Sequence, residues 1–134
     1  MTDRVTLTTI NSSGLRGHVT LEIPDRPPLT VMVAHEKRPA WEVHGVDLFE
    51  CLIEIRKDLE SKGILLCCQG ARPDVFPSGM ARQMGDGRFA YHLRRDRKIT
   101  SEDMVDIFSP AEPSEVVSIE DQRNAVLNFY KHEN

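Results

Sequence analysis

The chain has 134 residues, 40% of them hydrophobic and 28% charged, which suits one globular domain with a single core. Its formal net charge of −4 argues against nonspecific nucleic-acid binding as its main business, and no apolar run approaches the roughly 20 residues that span a bilayer. "MTDRVTLTTI" has no basic start followed by an apolar stretch, so the expected compartment is the cytoplasm and no membrane partner is expected.

Val5 and Leu7, and then Val19, Leu21 and Ile23, alternate with polar neighbours. The pattern predicts two half-buried strands joined by a hairpin through "NSSGLRG". The prolines of "IPDRPP" cannot donate to a ladder, so they end the second strand, and "LTVMVAHE" supplies a third. "EKRPAWEVHG" reads as a polar connector, in which Trp41 either seals the core edge or anchors a partner.

The period then changes. Leu48, Leu52, Ile55 and Leu59 form one stripe of an amphipathic helix, with Glu50, Glu54, Arg56, Lys57, Asp58 and Glu60 mostly off it. Asp47 with Glu50 predicts an N-cap, and Lys62-Gly63 a stop. "ILLCCQG" lacks alternation, as a strand covered on both faces does. Cys51, Cys67 and Cys68 are odd in number and show no CxxC spacing, which predicts buried thiols.

Beyond residue 88, Phe89, Tyr91 and Leu93 predict another strand, and Thr100 with Asp103 caps a short helix, "SEDMVDIF". "SPAEPSE" reads as a loop, "VVSI" as a brief strand, and Val126, Phe129 and Tyr130 mark a final amphipathic helix. The order predicts an α+β fold, a mostly antiparallel sheet of five to six strands packed with one long helix and two shorter ones.

The segment 70–88, "GARPDVFPSGMARQMGDGR", holds four of the eight glycines, two prolines and three arginines. A connection this long inside a compact domain is functional or has structure of its own. Ser78 can cap about two helical turns of "GMARQM", ended by Gly85, before a tight Gly85-Asp86-Gly87 turn. Such a helix presents the amides of Gly79, Met80 and Ala81 beside Arg72, Arg82 and Arg88, a combination that suits a phosphate or carboxylate. The same residues equally cap a packing helix with Met80 and Met84 in the core. Charge is segregated around this segment: residues 72–98 carry 7 basic and 3 acidic side chains, and residues 99–134 carry 2 and 8. Either the acidic tail packs beside the basic island and neutralises it, or the island binds an anion.

Other patterns carry less. Gly85 to Ala90 matches GxGxxA, but it opens a strand where a dinucleotide fingerprint opens a helix. Ser78 lacks a GxSxG elbow. His18, His35, His44, His92 and His132 lack metal-site spacing, so neither a metal nor another cofactor is expected. Cys67 or Cys68 with His92 could form a thiol–imidazole pair, although thiols in an apolar strand behave as small hydrophobes. Aromatics do not interleave with the basic island, which weakens a nucleic-acid surface.

"GARPDVFPSGMARQMGDGRFAYHL" resembles a pattern, GAR-x-x-V-x-PSGM-x-x-x-MG-x-G-x-x-AY, of short bacterial proteins without assigned activity, followed by a VDIF-like element such as Val105 to Phe108. The resemblance covers residues 70–108 and implies a bacterial, cytoplasmic, single-domain protein of a class that includes immunity proteins and adaptors. Asp86 stands where the pattern often has glycine, adding bulk and a negative charge. Two functions follow as expectations. One is a non-enzymatic binding protein whose partner, such as a basic toxin, meets the 70–88 face, with Trp41, His92 and Arg94 as contacts. The other is a small-anion or nucleotide site, of a binding domain or of an enzyme, formed by Arg72, Ser78, Gly79, Met80, Arg82 and Arg88.

Overall fold

In a computed structural model describing residues 2–36 and 38–131, with Ala81 described by its backbone alone, the chain is α+β. Strands β1 (Thr2–Asn11), β2 (Arg16–Pro24), β3 (Thr30–His35), β4 (Arg38–His44) and β5 (Ile64–Leu66) form one antiparallel sheet in the order β4-β3-β2-β1-β5. Strands β6 (Val75–Phe76), β7 (Phe89–His92) and β8 (Met104–Asp106) form a second antiparallel sheet in the order β6-β7-β8. Helices are α1 (Leu48–Glu60), α2 (Gly79–Met84) and α3 (Ile119–Lys131).

The alternation of β1 and β2 sets a register in which Leu7 faces Val19 and Val5 faces Leu21. Leu7, Val19, Leu21, Ile23, Val31 and Val33 lie buried on one face, against Leu52, Ile55 and Leu59 of α1. The hairpin turn is tied by Asn11, whose side chain accepts from the N–H groups of Ser13 and Leu15, each at 2.9 Å. Gly14 takes φ +81° there, a conformation that excludes most other residues.

Four local expectations need correction. "EKRPAWEVHG" is not a connector: residues 38–44 are the edge strand β4, where Pro39 costs no ladder bond because one side of an edge needs none. "SEDMVDIF" is not an α-helix. Thr100 and Asp103 do form a capping box, but over a single 3-10 turn, Ser101–Asp103, after which β8 pairs with β7. "VVSI" forms no strand; the Val117 N–H donates once, to the Ala71 carbonyl, and α3 starts at Ile119. "ILLCCQG" is a strand only over residues 64–66, although Leu66, Cys67 and Cys68 are fully buried as foreseen. His132 lies outside the described residues.

Candidate functional site

The 70–88 segment holds the expected short helix and tight turn and leads into the expected strand β7, and it adds the two-residue strand β6, which the expectation lacks; it is fastened along its length. At its start, Gly70 passes so close to α1 that an added Cβ would lie 2.5 Å from Leu52 Cδ2 and 2.9 Å from Ile107 Cβ. Only glycine fits that approach. At its end, Asp86 (φ 55°) and Gly87 (φ +74°) make a left-handed turn. The turn aims the Asp86 carbonyl at the Leu48 N–H, which donates to it at 2.6 Å. The turn therefore helps close the N-terminus of α1, whose first-turn amide of Glu50 donates to Asp47 Oδ1 at 2.7 Å.

Between these ends lies a buried polar hub. Arg56 is 1% exposed, where the helical stripe counted it among the solvated residues. It stands four residues after Leu52 and three before Leu59, which is itself a core spacing, so the signal was present. Arg56 Nη1 donates to Gln122 Oε1 at 2.5 Å and to the Gly70 carbonyl at 3.3 Å, and Nη2 donates to the Val117 carbonyl at 3.0 Å. Gln122 Nε2 in turn donates to the carbonyls of Gly70 and Arg72 at 2.8 Å and of Val75 at 3.2 Å. Glu60 Oε2 stands 3.6 Å from Arg56 Nε, while its other oxygen accepts from the Ile119 N–H at 3.1 Å. Burial pulls the Arg56 guanidinium below its ordinary value, with Cys68 and Glu60 acting the other way.

The three arginines of the segment do not share one place. Arg72 donates from Nε and Nη2 to the two oxygens of Asp74, both at 3.0 Å, from Nη1 to Gln69, and lies 3.3 Å from Glu115. Arg82 donates to the buried Asp47 carboxylate at 2.6 and 3.3 Å, and that bond raises its guanidinium against the effect of burial. Arg88 donates to Asp106 at 3.1 and 3.2 Å and to Asp3 at 2.6 Å. The other arginines of the basic island behave alike: Arg94 bonds Asp96, Arg97 bonds Asp103, and Arg95 donates to the carbonyls of Asn128 and Phe129 at the end of α3. Asp103, Asp106 and Glu115 come from the acidic tail, which therefore supplies part of the neutralisation; Asp74 and Asp96 lie within the island, and Asp3 and Asp47 lie upstream of it.

The remaining candidates are distributed as follows. Ser78 immediately precedes α2, and its carbonyl accepts from the Arg82 N–H. Gly79 and Met80 open that helix. Met80 is 75% and Met84 83% exposed, so the packing-helix arrangement with both in the core is not what forms. His92 Nε2 lies 2.7 Å from Asp74 Oδ2; burial works to raise the Asp74 carboxyl, but Arg72 and His92 hold it below the usual range. Trp41 is half-buried on β4, packed on the main core with the Arg38 guanidinium 3.7 Å above its ring. Arg38 bonds Asp58 at 2.7 Å, whereas Arg82 bonds Asp47, about 16 Å away along α1. Trp41 and α2 thus flank opposite ends of that helix.

The thiols are buried and chemically quiet. Burial, with Asp47 and Glu50 nearby, pushes Cys51 up to about 11, and burial pushes Cys68 up to about 12 and raises Cys67. His92 is engaged by Asp74 and is not paired with either cysteine among the described contacts.

One concavity of about 630 Å³ opens beside the segment, between α1 and α3, and is closed at one end by Phe76 and Arg82. Among the described residues no group of three or more His, Cys, Asp and Glu side chains could hold a metal, and no helix is long and apolar enough to cross a membrane. Compared with models of protein families the chain matches none, and compared with curated proteins it again matches none.

Proposed function

We propose that the protein is a non-enzymatic cytoplasmic binding protein, of the immunity or adaptor kind, that engages a protein partner through the face built by the 70–88 segment and β7. One observation carries the reading: the surface there is inverted. Its arginines are bonded to carboxylates of the same chain, while Met80 and Met84 on α2 and Phe89 and Met104 on the small sheet stand exposed. Register supports a shared face for the sheet residues, because Phe89 and Tyr91 alternate with Ala90, and Met104 is the cross-strand partner of Tyr91.

Exposed methionines adapt to irregular partner surfaces, and clustered exposed apolar side chains mark interaction sites. His92 and Arg94 follow at the end of β7, each already holding a carboxylate, so they offer hydrogen-bonding edges more than bare charge. The net charge of −4 suits a basic partner, such as a nuclease toxin. Thiols held in the protonated form by burial support the non-enzymatic part of the reading.

The test is a paired capture and titration. A partner retained by wild type is purified and titrated against wild type and against Met80→Asp with Met84→Asp, whose melting temperature is expected to be unchanged. Affinity is expected to fall at least about tenfold, the usual consequence of removing central contacts. Binding indifferent to the double variant overturns the reading. So does a thermal shift by nucleotides, phosphates or carboxylates that vanishes in Arg72→Ala; that result favours the alternative of a small anion at the Ser78 end of α2.

A further inference from the structure

Helix α3 carries more apolar width than the core uses. Gln122, Val126 and Phe129 form its buried stripe, while one position further round Leu127 and Tyr130, with Arg123, form a second stripe that is exposed, Leu127 at 63% and Tyr130 at 49%. This second stripe is one wall of the concavity beside α1, whose opposite wall is Phe49, Glu50, Ile53, Glu54 and Lys57. The end of α1 meets the start of α3, where Glu60 accepts from the first amide of α3, and the start of α1 and the end of α3 both line the concavity away from that junction. Glu50 and Phe49 therefore bound the end where Tyr130 stands, and Arg123 stands at the other end.

The charges of these walls are unevenly settled. Lys57 is paired with Glu54 at 3.3 Å and Arg82 with Asp47 at 2.6 Å. Among the described residues, neither the Glu50 carboxylate nor the Arg123 guanidinium forms a hydrogen bond or ion pair with another side chain, although Glu50 acts on Arg82 at longer range. One negative and one positive group are left, at opposite ends of a trough whose lining is mainly apolar.

We infer that a second copy of this chain covers the groove, through a two-fold interface in which the two α3 helices pack antiparallel. In an isologous pairing, whatever one copy's residue meets, the symmetry-related residue meets in return. Antiparallel α3 helices carry the Arg123 of each copy to the Tyr130 end of the other, where Glu50 stands, and seat Leu127 in the opposing trough. Both unsettled charges are then paired twice over, and the exposed stripe is covered by an identical one. A groove-filling apolar centre rimmed by complementary charge is the usual anatomy of such a contact. Phe76 and Arg82 of the 70–88 segment line the groove, but Met80, Met84, Phe89 and Met104 do not, so the variants that test the partner face and those that test this interface are different and the two can fail independently.

Sedimentation equilibrium of the full chain at a series of concentrations up to about 100 µM decides the matter, with Glu50→Arg, Arg123→Glu and their equimolar mixture measured alongside wild type. Wild type is expected to reach twice the monomer mass, each single reversal to weaken association at least about tenfold, and the mixture to recover it as a heterodimer. Leu127→Asp, an exposed site whose change leaves the fold intact, is expected to give a monomer even if a charge reversal disturbs α1. A monomeric wild type overturns the inference, and so does a dimer indifferent to Leu127→Asp and to both reversals.

Discussion

The five-stranded sheet with α1 and the segment from residue 69 to 106 are held by different physics. The sheet is an apolar assembly: β1, β2 and β3 place alternate side chains against one stripe of α1, and burial accounts for their arrangement. Among the described residues, the buried polar and charged side chains are Thr9, Asp47, Arg56, Asp103 and Gln122, and of these only Thr9 belongs to the large sheet. The others fasten the second region, through the Arg56 and Gln122 hub, the Asp47 and Arg82 pair, and the Asp103 cap. A two-residue strand and a six-residue helix bury too little apolar surface to hold themselves. Directed hydrogen bonds to their carbonyls make up the difference. Such a region can carry exposed methionines, because its position does not depend on burying them.

That contrast breaks most sharply at the hub. Gln122→Leu removes the nearer of the two partners of Arg56 Nη1 and leaves the carbonyls of Arg72 and Val75 without their Gln122 donor. The expected cost is about 1–3 kcal/mol for each buried group left unsatisfied, and adding Arg56→Met is expected to recover part of it. Amide hydrogen exchange is expected to quicken across residues 69–76 while β1, β2 and β3 keep their protection until global unfolding. Equal loss in both regions would show that they unfold as one unit and remove the distinction.

How much of this was readable in the sequence follows the same division. Elements held by burial advertise it as period: Val19, Leu21 and Ile23 at period two, and Leu48, Leu52, Ile55 and Leu59 at helical spacing, foretold β2 and α1. The strand β4 escaped because an edge buries only one face, and Trp41 and Val43 alone carry its alternation amid Glu, Arg and Pro. The helix expected at 101–108 failed because a capping box specifies how a turn begins and says nothing of whether it continues. Val105 and Ile107, buried or half-buried at period two, were the competing signal. At the candidate site, the chain order of motifs in 70–88 was legible, while the destinations of Arg72, Arg82 and Arg88 were not. Arg72 bonds its near neighbours Asp74 and Gln69, but the partners Glu115, Asp47, Asp106 and Asp3 lie far away in sequence, and no local pattern names them.

Acid offers a gentler way to separate the regions. Thr100 N–H, working against burial and joined by Arg97, holds the Asp103 carboxyl below its ordinary 3.8, Arg72 and His92 do the same for Asp74 against burial, and Arg94 lowers Asp96 to about 2. All three lie in the second region; the remaining lowered carboxyl, Asp25, is exposed in the β2–β3 connection. A carboxyl whose folded value is depressed favours folding fully above its unfolded value, about 4, and that contribution disappears as pH falls through the folded value. Exchange protection at β7 and β8 is therefore expected to decline between about pH 4 and pH 2 before that of β2 and β3. A simultaneous decline would mean that the carboxylates stabilise both regions alike.

The smallest effect concerns the thiols, and it reads the boundary between the regions. Cys51 lies on α1, its Sγ 3.5 Å from the Leu29 carbonyl, within the apolar body. Cys67 and Cys68 lie where the large sheet hands over to the second region, Cys68 bridging to Pro110. Because burial raises all three above their ordinary 9.0, the folded state favours the protonated form. That preference is intact below pH 9 and is lost as pH rises through the folded values. Native protein at pH 8 is accordingly expected to leave a disulfide reagent unreacted, with three thiols titrating in guanidinium. In Gln122→Leu the rates should diverge: if the hub holds the second region alone, labelling of Cys68 accelerates while Cys51 stays silent, since only the wall supplied by residues 69–71 has loosened. Acceleration of Cys51 to the same degree would place the opening in the core of α1 instead, and make the apolar body as dependent on Gln122 as the segment it carries.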